Sequence, residues 1–324
     1  MRAVVLITLA AVSVLVVFFI AAYPHMDFTG NALNLAADAA GKPVEVQGGN
    51  GPWLPFGLTG VMLALPFAVY MFLAIEQLPL TAEESHNPTR HLPLALVWGT
   101  VILAVLALGV LFFSASIGGG SFFMSTSSEP LLDGFRELFG HTASKLLSAV
   151  AVLGLAASFL AGSFAAGRNI YSLSRAGYLP AMFAKVHPRF RTPVNALIGG
   201  GIVGIAAVFS DQWVTIGGLP LTANIVTMAV LGALVMYIMS MASLFKLRAS
   251  EPKLDRPFRA PLYPLFPAIA IVCGLVCLVA VVYFNQLLSL IFLGLMGLGY
   301  AYFRLTAAQR EAAPHDAMLA AAAE

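Results

Sequence analysis

The stretch LPFGLTGVMLALPFAVYMFLAIEQ, residues 54–77, decides the fold. Its roughly 24 residues are long and apolar enough to cross a hydrocarbon layer about 30 Å thick, yet Pro66 stands at the middle and Glu76 near the far end. A carboxylate inside a span is costly. A proline there removes a backbone N–H and frees the carbonyl one turn back. Together they mark an interrupted helix beside a polar path, and the function is expected there.

Working outward, the rest of the chain is of the same kind. It is 60% hydrophobic and 10% charged, with a mean hydropathy of +0.89, whereas soluble domains carry about a quarter charged residues. A soluble globular domain is excluded. Apolar runs predict eight spans, over 4–23, 54–80, 92–117, 146–167, Val194–Ser210, 221–245, 262–284 and 287–303, the fifth being the shortest. The first apolar run is longer than the roughly 7 to 15 residues of a signal-peptide core, so it reads as a spanning helix.

With alternate connections on one side, that side collects all but three of the 17 Lys and Arg residues, and the other holds only Lys42, Arg136 and Lys145. The positive-inside rule then sets both termini in the cytoplasm. Turn-forming residues predict outer loops over 24–53 and 118–143, and residues 305–324 read as a cytoplasmic tail. The whole of 1–324 reads as a single membrane domain. Cys273 and Cys277, one turn apart in an apolar span, offer neither a disulfide framework nor a metal site. The four-residue recurrence of Gly154, Ser158, Gly162 and Ala166 predicts close helix packing, with room for a ligand as the second reading.

The segment LPFAVYMFLAIE (65–76), with AEES (82–85) and NPTRHLP (87–93), resembles the sixth helix and following loop of the amino acid-polyamine-organocation transporters. GRNIYSLSRAGYLP (167–180), RPFRAP (256–261) and YPLFP (263–267) carry the same resemblance, and within the superfamily the chain looks most like the ethanolamine permeases. The resemblance implies an all-α, multi-pass helix bundle corresponding to helices five to twelve of a twelve-helix, five-plus-five inverted-repeat carrier. The domain is then N-terminally incomplete, and the chain is expected not to transport on its own. It also implies residence in the cell inner membrane, a small-molecule amine as substrate, contact with the lipid bilayer and no role for nucleic acid.

For the site, the resemblance places Phe67, Ala68, Tyr70, Met71 and Phe72 at the pocket, with Tyr70 as an aromatic gate and Glu76 as a gating or coupling carboxylate. Read as chemistry, aromatic faces suit a small ammonium, which gains about 0.5 to 2 kcal/mol over a ring; packing against neighbouring helices is the competing reading for each. Ser158 and Gly162 complete the expected substrate-binding set. A coupling proton or sodium ion is the expected partner. Span 4–23 lacks any Lys or Arg beyond Arg2, so the lysine-dependent proton route of some relatives is not expected, while Ser158 and Ser163 offer hydroxyls to sodium.

No cofactor, metal or catalytic residue is expected, and the chain is not expected to be an enzyme. The six histidines, His25, His86, His91, His141, His187 and His315, all fall in predicted loops or the tail. The leading expectation is a secondary active transporter importing ethanolamine. The alternatives are an amino acid or polyamine antiporter or permease of the same superfamily, and a non-transporting fragment.

Overall fold

The computed structural model describes residues 2–85, 87–127, 129–189, 191–254, 256, 258 and 262–307. Most of the expected tail therefore lies outside the described residues, as do His86, Pro257 and residues 259–261 of the quoted motifs. The fold is all-α and multi-pass. Among the described residues seven helices are long and apolar enough to cross a membrane, and Val194–Ser210 is a shorter apolar one. The chain forms two compact units, Met1–Leu78 with Asn87–Leu160, and Pro79–His86 with Ala161–Glu324.

In the first unit, α1 (Arg2–Ala22) is an uninterrupted apolar helix, α2 (Gly57–Tyr70) follows the connection over 24–53, and α3 (Pro88–Ser116) opens on a proline. Proline suits a first helical turn, where its missing N–H has no partner to lose. The core gathers Val14, Phe18, Ala22, Ile117 and Phe135. Phe18 and Phe135 meet edge to face with ring centroids 5.3 Å apart, the arrangement their quadrupoles favour. Phe19 stacks on Phe113 at 5.2 Å, close enough to α3 that a Cβ at Gly109 would stand 2.7 Å from its ring.

The two segments expected as outer loops are more ordered than turn composition alone predicts. Residues 24–53 contain a short antiparallel ribbon pairing Ala36–Ala37 with Pro43–Val44. The carbonyl of Ser116, left open at the end of α3, accepts from the backbone N–H of Asp27 at 2.8 Å and from Asn31 Nδ2 at 3.1 Å. This satisfies one of the acceptors that every helix end exposes.

Residues 118–143, expected as a loop, are largely helical: α4 (Gly120–Thr126) is followed by α5 (Pro130–Arg175), in which Gly140 interrupts the regular backbone at φ 70°. Two causes override the turn signals. Pro130 starts a helix as readily as it ends one, and Phe135 is buried in the core. Gly120 has φ +61° and lies so close to the Asn31 carbonyl that no Cβ would fit.

The second unit takes the end of α5, α6 (Val194–Ser210), α7 (Leu221–Ser250), α8 (Leu265–Phe284) and α9 (Gln286–Leu305). Val230, Leu231 and Leu234 of α7 and Val281 of α8 are buried. A Cβ at Gly274 of α8 would stand 3.1 Å from Ile238 of α7, so these helices pack closely. Asp211, at the end of α6, accepts from the backbone N–H of Thr222 at 2.7 Å and also from its hydroxyl, closing the first turn of α7. Asn224 ties the same turn to the Thr215–Ile216 and Leu219–Pro220 ribbon through the carbonyls of Ile216 and Pro220.

Candidate functional site

The expected break in span 54–80 is present. Helix α2 ends at Tyr70, a turn follows, and a 3-10 helix runs over Ile75–Glu84. Pro66 is buried inside α2 and has no N–H to give the Met62 carbonyl. Past it the ladder tightens: Met71 N–H still reaches Phe67 O at 3.1 Å, but Phe72 reaches Val69 O at 3.0 Å and Leu73 reaches Tyr70 O at 3.1 Å, each one residue short of an α-turn. The reversal comes at Ala74, with φ 80°. That conformation costs an L-residue about 1 to 2 kcal/mol. Gln77 N–H then bonds to Ala74 O at 3.1 Å and the chain continues in the tighter helix.

The break sets the side chains the sequence singled out. Phe67, Ala68 and Tyr70 occupy the last turn of α2, and Met71 and Phe72 the turn beyond it. All five are exposed, Phe67 by 55% and Tyr70 by 48%. Glu76 lies half-buried in the first turn of the 3-10 helix. Chain connectivity thus brings three aromatics and one carboxylate to a single interruption, where backbone carbonyls have lost their α-helical donors. Such a segment can hold a cation by ring faces, carbonyl oxygens and a carboxylate.

Ser158 and Gly162 sit on α5, one in each compact unit, and both are exposed. The small-residue recurrence around them divides in two. A Cβ on Gly154 would stand 2.7 Å from the Ala11 Cβ of α1, so Gly154 serves close packing, whereas a Cβ on Gly162 would meet nothing within 4 Å. The periodicity alone treats the two positions as equivalent.

One cluster of side chains went unnoticed as a cluster in the sequence. Arg168 and Arg175, near the end of α5, and Arg191, in the loop before α6, line one cavity of about 420 Å3 with Leu80, Tyr171 and Ser172. Arg168 Nη1 donates to Leu80 O at 2.6 Å, and its guanidinium lies 4.6 Å from the Phe164 ring centre. The signals in the sequence were the charge asymmetry, which counts these arginines without grouping them, and the 167–180 motif, which holds Arg168 and Arg175 but not Arg191.

Residues 2–297 match the sequence model of a family described as amino acid permease. Over 220 residues the chain is 28% identical to the methylthioribose transporter of Bacillus subtilis, covering 68% of this chain and 45% of that protein. It is 24% identical over 222 residues to the branched-chain amino acid permease BcaP of the same organism, covering 68% of this chain and 45% of the permease. The vacuolar cationic amino acid transporter 4 of Arabidopsis thaliana is 29% identical over 157 residues, covering 48% of this chain and 26% of the transporter. The chain spans about half the length, or less, of these relatives.

Proposed function

We propose that this chain, which belongs to the amino acid permease family, carries a small primary amine, ethanolamine first, along a path that passes the break between Tyr70 and Ile75. Membership supports a membrane transporter rather than an enzyme. The observation that carries the finer reading is the break itself, with Phe67, Tyr70 and Phe72 around it and Glu76 one turn on. Ring faces and carbonyl oxygens suit an ammonium, and a hydroxyl-bearing amine needs no donor for a carboxylate.

In this reading Phe67, Ala68, Met71 and Phe72 line the path, Tyr70 closes over the solute, and Ser158 and Gly162 of α5 belong to the substrate-binding set. Glu76 couples the movement to a proton or sodium ion. The protein resides in the inner membrane with both ends of the stretch cytoplasmic, as the charge asymmetry supports. Because the chain spans about half the length of the relatives it matches, the transport activity is itself part of the proposal, as is the reading of residues 1–324 as a single membrane domain.

The test is uptake of labelled ethanolamine into cells producing the protein, with excess unlabelled ethanolamine, amino acids or polyamines as competitors. Ethanolamine is expected to compete fully, and Tyr70→Ala to lower uptake by about tenfold, which corresponds to about 1.4 kcal/mol. Uptake unaffected by excess unlabelled ethanolamine would overturn the substrate assignment. A second reading, amino acid uptake, is favoured by the names of two of the relatives above. It requires N–H donors for the substrate carboxylate, and full competition by an amino acid but not by ethanolamine would establish it.

A further inference from the structure

We infer that the groove between α7 and α9 holds one acyl chain of an anionic phospholipid, with the lipid phosphate beside Lys246. The groove is a cavity of about 910 Å3 built by residues of the second unit only. It takes no residue from the break at Tyr70, so the inference is independent of the substrate proposed above.

One wall of the groove is a single face of α7. Gly232, Met236, Met239, Ser243, Lys246 and Ser250 follow one another at alternating steps of four and three residues, which sets them on one side of a helix, and all of them line the groove. The contact with α8 uses other positions, Ile238 among them. Phe292 and Met296 of α9 form the opposite wall. At one end the two helices touch, since a Cβ on Gly232 would stand 3.8 Å from the Phe292 ring. Past that point they no longer cover each other, and Met236, Met239 and Met296 are exposed.

Along its length the groove changes from apolar to cationic. Val235, Met236 and Phe292 surround the closed end, whereas Ser243, Lys246 and Ser250 bring hydroxyls and an ammonium to the other, where the last turn of α7 also holds Arg248. This is the polarity of a phospholipid. The lengths agree as well. From Gly232 to Lys246 the helix climbs about 21 Å, at about 1.5 Å per residue. One leaflet is about 15 Å of hydrocarbon with about 5 to 7 Å of headgroup region beyond it, so a lipid whose phosphate meets Lys246 ends its chain near the Gly232–Phe292 contact. Methionine walls adapt to a chain of no fixed shape. A neighbouring helix, about 10 Å across with its side chains, fits less well, because it would have to run past the contact that closes the groove. A lysine at the headgroup level favours an anionic lipid over a zwitterionic one by about fivefold.

The test uses the purified protein in non-ionic detergent, titrated with phosphatidylglycerol and with phosphatidylcholine of the same acyl chains, with retention and oligomeric state read by native mass spectrometry. Retention of phosphatidylglycerol is expected to exceed that of phosphatidylcholine by about fivefold, and Lys246→Gln to remove that preference. Met236→Phe with Met296→Phe fills the groove and is expected to lower retention of both lipids by about threefold or more. Val279→Phe, at an exposed position of α8 outside the groove, is expected to leave retention within about twofold.

Equal retention of the two lipids, or a preference that Lys246→Gln leaves intact, overturns the inference. So does a filled groove that retains phosphatidylglycerol like the unmodified protein, since the lipid then sits elsewhere. A dimer that the filled variant breaks, with no lipid retained by the unmodified protein, assigns the groove to a second copy of the chain and likewise refutes it. If the double phenylalanine variant does not fold, Met296→Phe alone decides: a loss of about threefold or more supports the site, and a smaller one refutes it.

Discussion

The residue on which the interruption of α2 turns is Ala74, and substituting it tests the geometry directly. At φ 80° an alanine carries about 1 to 2 kcal/mol of local strain. Glycine removes that strain but loses about 0.5 to 1 kcal/mol more backbone freedom on folding. Ala74→Gly is therefore expected to range from neutral to about 1.5 kcal/mol stabilising. Proline fixes φ near −65°, on the other side of zero, so Ala74→Pro must rearrange the turn at a cost of about 3 kcal/mol or more. At about 2 to 4 °C per kcal/mol for a chain of this size class, glycine should move the unfolding midpoint by at most about 6 °C upward and proline by about 6 to 12 °C downward. Thermal unfolding of the purified variants in one detergent, followed by tryptophan fluorescence and by far-ultraviolet circular dichroism, reads both shifts. A glycine variant destabilised by more than about 1 kcal/mol, or a proline variant as stable as the unmodified protein, would mean that residue 74 does not occupy the left-handed region, and the break would lose its basis.

Three further outcomes are expected. Gly154→Ala would press a methyl to within 2.7 Å of the Ala11 Cβ and should destabilise by about 1 to 3 kcal/mol. Ala11→Gly in the same chain should relieve part of it, and a double-mutant cycle showing no coupling would contradict the contact. Asp211→Ala removes both bonds to Thr222 and should lower stability by about 0.5 to 2 kcal/mol in chemical unfolding, as loss of a helix cap does. Asp133 lies ahead of the Gly140 interruption in α5, outside the 146–167 span. The Ser127 hydroxyl, 2.5 Å away, is the main cause that holds its carboxyl below the ordinary value, with Arg136 adding to it and partial desolvation opposing it. Stability from this group is therefore present above about pH 3.9, the ordinary carboxylate value, and is lost as pH falls through the lowered one. Unfolding measured from pH 6 down to pH 2 should show Asp133→Asn with a shallower acid loss than the unmodified protein, and identical acid profiles would count against the assignment.

Much of the fold was legible in the sequence because a hydrocarbon layer imposes a rule that a one-dimensional reading can apply. A chain crossing it must be apolar over about 20 residues and must satisfy its own backbone. That rule located all eight apolar helices found among the described residues, including the shorter Val194–Ser210, and Pro66 with Glu76 located the interrupted one. Chain distance alone grouped Phe67, Tyr70, Met71 and Phe72, since neighbours within one turn stay neighbours in space. What the sequence did not determine depends on residues far apart along it. The reversal at Ala74 is set by no residue that favours φ above zero. The helix over Pro130–Arg175 forms where turn residues predicted a loop, because Phe135 finds its partner 117 positions earlier in Phe18. Gly154 and Gly162 share one periodicity, and only packing shows that the first meets Ala11 and the second meets nothing. Arg168, Arg175 and Arg191 read as three separate charges until the fold wraps them around a single cavity. Local rules of length, polarity and missing donors are properties of a segment, whereas a shared cavity or a close contact is a property of two segments brought together, and tertiary structure alone decides which two.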